Sequence, residues 1–277
     1  MSRSEFSEFK DPKQLLDQIP PGFVVDSGWL RLHQVPRHAT HDYLKRNELQ
    51  SVAPGVYRKP LSNTDERQPL DWRVPVLSAQ RIMGYRLHIG GPTALRLHGY
   101  LEGLPLGRSD RFYAYGDVPV WFAGISLNAR VKLRSTRLFN GVGAGIQQPP
   151  INTEDDQGQP THWPLRLSCP ERALLEALDE MEGSECFKLV TPLFDRLSGL
   201  NADVMTGLLE KCSKPKVKRL FFVFADQHHH AWLKSVDHSK IDLGSGDRIF
   251  FKGEIHPKYR ITVPSDYLPS PPSGLEA

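Results

Sequence analysis

Apolar residues in the first sixty positions recur in short runs that breakers cut apart, and the cuts predict small elements. Leu15, Leu16 and Ile19 give Pro12 to Ile19 one apolar face, and Pro20-Pro21-Gly22 ends it, because successive prolines remove backbone donors and crowd the preceding turn. Trp29, Leu30 and Leu32 lie on neighbouring faces of a second helix that Asp26 or Ser27 can cap, and Val35-Pro36 stops it. From Ala39 to Glu48 only Tyr43 and Leu44 turn inward, which leaves His41, Lys45 and Arg46 on the outside of a polar third helix. Leu49 to Lys59 alternates around Pro54-Gly55, the pattern of a short hairpin. Three helices followed by a hairpin predict a winged helix-turn-helix, with the third helix as its reading helix and the hairpin as its wing.

After Leu61 the pattern lapses into polar, proline-punctuated sequence as far as Pro75, which reads as a linker. This predicts a DNA-binding domain with its linker over residues 1–75 and a second domain over 76–277. The fold class expected is α+β, the second domain being larger and mixed α/β. Val76 to Met83 reads as a helix ended by Gly84, and Gly91-Pro92 opens another that Gly99 closes. Arg111 to Tyr115 and Val118 to Phe122 read as strands, as does Ala129 to Phe139, where Val131, Leu133 and Leu138 alternate with Lys132, Arg134 and Arg137. Asn140 to His162 reads as a long loop. Ser168 is the expected cap of a strong helix with Pro170 in its first turn and Glu171 closing a capping box. Helices are expected over Phe187–Leu197, Ala202–Cys212 and Lys216–Trp232, and strand character over Asp247–Pro264.

Composition narrows the class. Hydrophobic residues make up 39% of the chain and charged residues 24%, an ordinary soluble balance. No apolar run approaches the roughly 18 residues of a membrane span, and the polar start, with acids mixed in, is unlike a signal peptide, so the protein is expected in the cytoplasm. Cys169, Cys186 and Cys212 lack the spacing of a zinc site or a disulfide framework and read as small, wholly or partly buried thiols. The net charge of +3 is too small to hold a polyanion by itself, so the placement of charge matters. Arg37, Lys45, Arg46, Arg58 and Lys59 fall in a stretch whose acids are Asp42 and Glu48. Phosphate contacts are expected from these five. His38 lies beside them, and Thr40 and His41 at the helix start are placed nearer the bases. Lys211, Lys214, Lys216, Lys218 and Arg219 form a later cluster, either a solvated surface or a second face for nucleic acid or a partner.

Four segments also carry a family likeness. Gly55-Val56-Tyr57-Arg58, Ile89 to Leu95, Ser168 to Leu175, and Val217 to Phe221 followed by Leu243-Gly244-Ser245-Gly246 occur in this order over most of the chain. Together they resemble the AbiEi antitoxins of bacterial AbiE (type IV) toxin–antitoxin systems. The resemblance implies a winged-helix domain that binds inverted repeats in its operon's promoter and autorepresses it. It also implies a C-terminal domain that opposes a nucleotidyltransferase toxin without a stable complex. His33, His38 and His41 make this reading region richer in histidine than the family leads one to expect, so base contacts do not transfer.

Other chemistry is weaker. On a helix, His228-His229-His230 would point about 100° apart and could not converge on a metal. Gly244-Ser245-Gly246 lacks the strand, spacing and lysine of a P-loop. Ser168-Cys169 has no legible histidine and carboxylate context for a nucleophile. No catalytic residue, metal or cofactor is expected. The alternatives are a nuclease with a winged-helix targeting domain, a generic regulator, or a protein-binding adaptor. The carboxylates and lysine that a nuclease would gather around Mg²⁺ are not legible in the second domain.

Overall fold

Pro12–Asp17 forms α1 in the computed structural model, which describes residues 12–61, 68–104, 110–141, 143–154 and 160–269. Leu15, Leu16 and Ile19 are buried, so the apolar face read from the sequence is the packed one. Beyond Pro20-Pro21-Gly22 the chain runs extended as β1 (Val24–Asp26), then forms α2 (Ser27–Leu32) and α3 (Arg37–Lys45). The Asp26 carboxylate caps α2, accepting from the Trp29 amide at 2.7 Å. α3 begins before Ala39 because extended Pro36 serves as its N-cap and sets the helix going at Arg37. β2 (Gln50–Ala53) and β3 (Val56–Arg58) form the expected hairpin, turning at Gly55, whose φ of +73° disfavours any side chain. β1 pairs antiparallel with β3, giving a three-stranded sheet of order β1-β3-β2.

Residues 62–67 of the expected linker lie outside the described residues. On its far side, α4 (Arg73–Leu77) runs into a π-helical turn, Ser78–Ile82, that faces back to β1 and α2. Ser78 Oγ accepts from the Val24 amide at 3.0 Å, Met83 Sδ from the Asp26 amide at 3.3 Å, and the Ile82 carbonyl from Trp29 Nε1 at 3.0 Å. Two compact units result: Met1–Ile89 with Ser109–Arg134 and Gln147–Leu167, and Gly90–Arg108 with Ser135–Ile146 and Ser168–Ala277. The division expected between residues 75 and 76 therefore falls inside the first unit.

That unit also contains β4 (Leu87–Ile89), β5 (Arg111–Gly116) and β6 (Arg130–Arg134). Val118 to Phe122 is no strand: Pro119 lacks a ladder donor, its carbonyl accepts from the Phe122 amide, and Val120–Ala123 becomes a 3-10 turn. The expected long loop contains β7 (Ile146–Gln147) and a hairpin of β8 (Pro150–Glu154) with β9 (Pro160–Pro164), whose prolines at the strand ends read as breakers. β10 (Leu167–Ser168) meets β4 at Leu167↔Ile89, giving the run β6-β5-β4-β10; β4–β5 is antiparallel and the other two pairings are parallel.

The second unit is mainly helical: α5 (Gly91–Leu97), α6 (Pro170–Asp179), α7 (Glu185–Arg196), α8 (Ala202–Lys211) and α9 (Pro215–Gln227), with a short ladder of β11 (Glu254–Ile255) and β12 (Thr262–Val263). α9 ends before Trp232 because His228 turns extended, and Ala231–Ser235 is a separate 3-10 turn. Phe187 and Phe194 stack on Phe224 at 5.3 and 5.0 Å in the core. Cys169 rather than Ser168 caps α6, since the Ser168 hydroxyl donates to the buried Glu176 carboxylate at 2.8 Å. Glu176 also accepts from Arg172 Nε and the Gly91 amide, both at 2.8 Å. Glu171 accepts from the Asn201 amide instead of closing a capping box. Among the described residues no helix is long and apolar enough to cross a membrane.

Candidate nucleic-acid interface

Steps of 100° along α3 divide its residues cleanly. Thr40 and Tyr43 turn inward and are buried, whereas Arg37, His41 and Lys45 follow one another at i, i+4 and i+8 on the exposed side, with His38 and Asp42 beside them. Arg46 continues the exposed surface just past the helix. Five of the eight residues expected at this interface therefore share its surface: Arg37, His38, His41, Lys45 and Arg46.

The other three do not. Thr40 is only 8% exposed and its hydroxyl lies 3.4 Å from the Pro36 carbonyl, so it belongs to the packing of α3 and not to a base-reading edge. Arg58 is buried at 4% exposure because period-two alternation puts it on the same inward face of β3 as Val56. Its Nη2 and Nε donate to Gln50 Oε1 at 2.8 and 3.3 Å, tying β3 to β2. Lys59 Nζ donates to the Leu16 carbonyl at 3.0 Å and lies 3.7 Å from Asp17, so its charge serves the end of α1.

Arg31 was missed by the sequence reading. It is exposed on α2 and, with Arg37 and His41, rims a groove of about 650 Å³ floored by Leu30, Val35, Leu44 and Tyr57 and reaching Gly55 of the hairpin. Its helical position, between Leu30 and Leu32, carried the signal.

The later basic cluster is largely absorbed by the second unit. Arg219 is 2% exposed and donates to the carbonyls of Leu243, Gly244, Gly246 and Arg260 at 2.6–2.8 Å. Buried Lys218 donates to the Asp242 carbonyl at 2.9 Å. Lys216 reaches the Asp179 and Met181 carbonyls at the end of α6, and burial pulls its pKa down. Lys214 is exposed but pairs with Asp179 at 2.6 Å, and Lys211 is exposed at the end of α8. Lys218 and Arg219 thus leave the expected surface, because loop carbonyls inside the fold accept their hydrogen bonds.

The histidine run lies past α9 instead of on it. Extended backbone puts His228 and His230 on one side, rings 6.3 Å apart, but His228 Nδ1 meets the Phe224 carbonyl and His230 Nε2 the Phe194 carbonyl. Cys169 and Cys212 are buried, which pushes their thiols up to about 12 and about 11, far from a reactive thiolate. Cys186 is half-buried.

Residues 113–264 match a family model described as a transcriptional regulator, AbiEi antitoxin of a type IV toxin–antitoxin system, and residues 9–106 match one described as the AbiEi antitoxin N-terminal domain of a transcriptional regulator. Among solved structures, the RV2827C protein from Mycobacterium tuberculosis is similar in fold, with a TM-score of 0.55 at 15% identity, over 91% of this chain and 89% of that chain. No curated protein matches the sequence.

Proposed function

Since the chain belongs to the AbiEi antitoxin family, transcriptional regulators of type IV toxin–antitoxin systems, we propose that α1 to β3 act as a winged helix-turn-helix that binds inverted repeats in the operon's own promoter and represses it. The observation that carries this reading is the exposed row Arg37, His41 and Lys45 on a helix held from behind by Thr40 and Tyr43. A nine-residue helix presenting cations along one side suits the major groove, where phosphates on either wall are neutralised and base edges are met at the floor. Arg31, Arg37, Lys45 and Arg46 take phosphates, and His38 and His41 lie nearer the bases. The hairpin contributes its turn at Gly55 and not the buried Arg58. Repression follows from occupancy of the promoter and requires no chemistry from the protein, whose site of action is the cytoplasm.

The second unit is assigned the antitoxin role, opposing a nucleotidyltransferase toxin without a lasting complex. Two assays test the division of labour. His41→Ala is expected to relax discrimination between the promoter and an unrelated duplex, while its affinity for the unrelated duplex changes little. Joint replacement of Arg37, Lys45 and Arg46 by alanine is expected to release a promoter-driven reporter yet still rescue growth of cells that express the toxin. Loss of rescue in that variant, with the fold intact, would place antitoxicity in the DNA-binding face.

A further inference from the structure

One charged surface of the first unit has no part in this reading. β5 and β6 run in parallel register with Arg111↔Arg130, Tyr113↔Lys132 and Tyr115↔Arg134. Register partners share a face, and so do alternate residues along each strand. Arg111, Tyr113, Tyr115, Arg130, Lys132 and Arg134 therefore stand on one side of the sheet, which is covered at its Tyr115 end, where that ring is 3% exposed and stacks on His88, while Phe112 and Ala114, both 0% exposed, point into the core on the other. Arg130 is exposed, and Arg111, Tyr113, Lys132 and Arg134 are half-exposed. The Arg134 guanidinium lies 5.9 Å over the Tyr113 ring, which fixes one cation of the row in place.

Neither strand contains an acid. Among the described residues, no carboxylate lies within ion-pair distance of Arg111, Arg130 or Lys132. Like charges on facing strand positions destabilise a sheet, and Arg111 opposite Arg130 is such a pair. Cations on an outermost strand also deter pairing with another sheet, which accounts for some of the charge on β6, the end strand of the run. It does not account for Arg111, because β5 is an interior strand with a neighbour on each side. A row of cations that destabilises the free sheet fits a polyanion as its partner. Arg130 and Lys132 stand roughly 7 Å apart at the rise of a strand, which matches about two phosphates of one DNA strand at about 3.4 Å of axis each.

We propose that this face is a second phosphate-binding surface, which holds the backbone of duplex DNA outside the segment read by α3. The inference rests on the DNA-binding reading above and adds contacts that raise affinity without carrying sequence information.

The test compares the full chain, an R130Q/K132Q variant, an R111Q/R130Q variant and an R37A/K45A variant, each with its thermal melt recorded. They are titrated over a salt series on a duplex of about 20 base pairs and one of about 60 from the region upstream of the gene, enough for paired half-sites without and with flanks. The wild type should bind the longer duplex with the steeper salt dependence. Each glutamine variant should lose about two units of slope and on the order of tenfold in affinity on the longer duplex, with binding to the shorter one unchanged. The R37A/K45A variant should weaken on both. Wild-type slope and affinity in both glutamine variants, with R37A/K45A weakened, overturns the second surface alone. Undiminished binding by R37A/K45A overturns the DNA-binding reading instead. If a single-stranded RNA competes better than the duplex, and does so through Arg111, Arg130 and Lys132, duplex DNA is the wrong occupant.

Discussion

The Asp26 carboxylate accepts from the Trp29 amide at 2.7 Å, the Tyr85 hydroxyl at 2.6 Å and Trp121 Nε1 at 3.1 Å. One buried side chain thus caps α2 and ties it to segments far along the chain, and such a carboxylate is tolerated because its lone pairs are met. Burial first, and then the bond to Asp26, push the Tyr85 phenol from 10.0 up to about 12. A folded state that keeps a proton the unfolded chain has lost is disfavoured as pH rises, so this contribution is intact below about pH 10 and falls away towards pH 12. Tyr259, pushed by burial to about 12, acts in the same direction. The melting temperature is expected to drop across that interval, and Tyr85→Phe to flatten part of the drop; a variant that follows the wild-type curve contradicts the assignment. In the second unit, Arg172→Met would remove the ion-pair partner of the buried Glu176 carboxylate, and is expected to cost about 3–5 kcal/mol in urea unfolding. The start of α6 was legible from Pro170, but its cap was not: the Ser168 hydroxyl serves Glu176, a partner that only the folded chain brings to it.

Among the elements, those punctuated by breakers or long enough to show a period were legible. Pro20-Pro21, Pro36 and Pro54-Gly55 delimit α1, α2, α3 and the β2–β3 hairpin close to where the chain places them. β1, β4, β7 and β10 escaped notice because two or three residues cannot display alternation. The same limit hid the boundary between units, since polar, proline-rich sequence marks a linker only if the residues after it pack elsewhere. Here Ser78, Ile82 and Met83 return to β1 and α2. A fragment ending at residue 75 is therefore expected not to unfold cooperatively by circular dichroism, and a sharp transition in that fragment would show that the α4 contacts are dispensable. For the site, helical periodicity found His41, Lys45 and Arg46 and the cluster of basic residues added Arg37, but counting charges could not tell them from Arg58, Lys218 and Arg219, whose N–H groups satisfy acceptors inside the fold.

At the scale of the whole molecule, the charge that reaches solvent is distributed more informatively than the net +3 suggests. The first unit displays cations along α3 and on the β5–β6 face, whereas the later lysine cluster is largely spent on carbonyls and on Asp179. The proposed DNA contacts all lie in the first unit, and the second is built around a phenylalanine core. The most direct measurement is a mobility-shift titration of the upstream promoter duplex with the wild type and with a variant carrying alanine at Arg37, His41 and Lys45, both folded by circular dichroism. The wild type is expected to prefer the promoter to an unrelated duplex by at least about a thousandfold, and the variant to lose most of that preference together with about two units of salt slope. Equal affinity and equal preference in the two proteins would contradict the assignment of α3 as the reading helix.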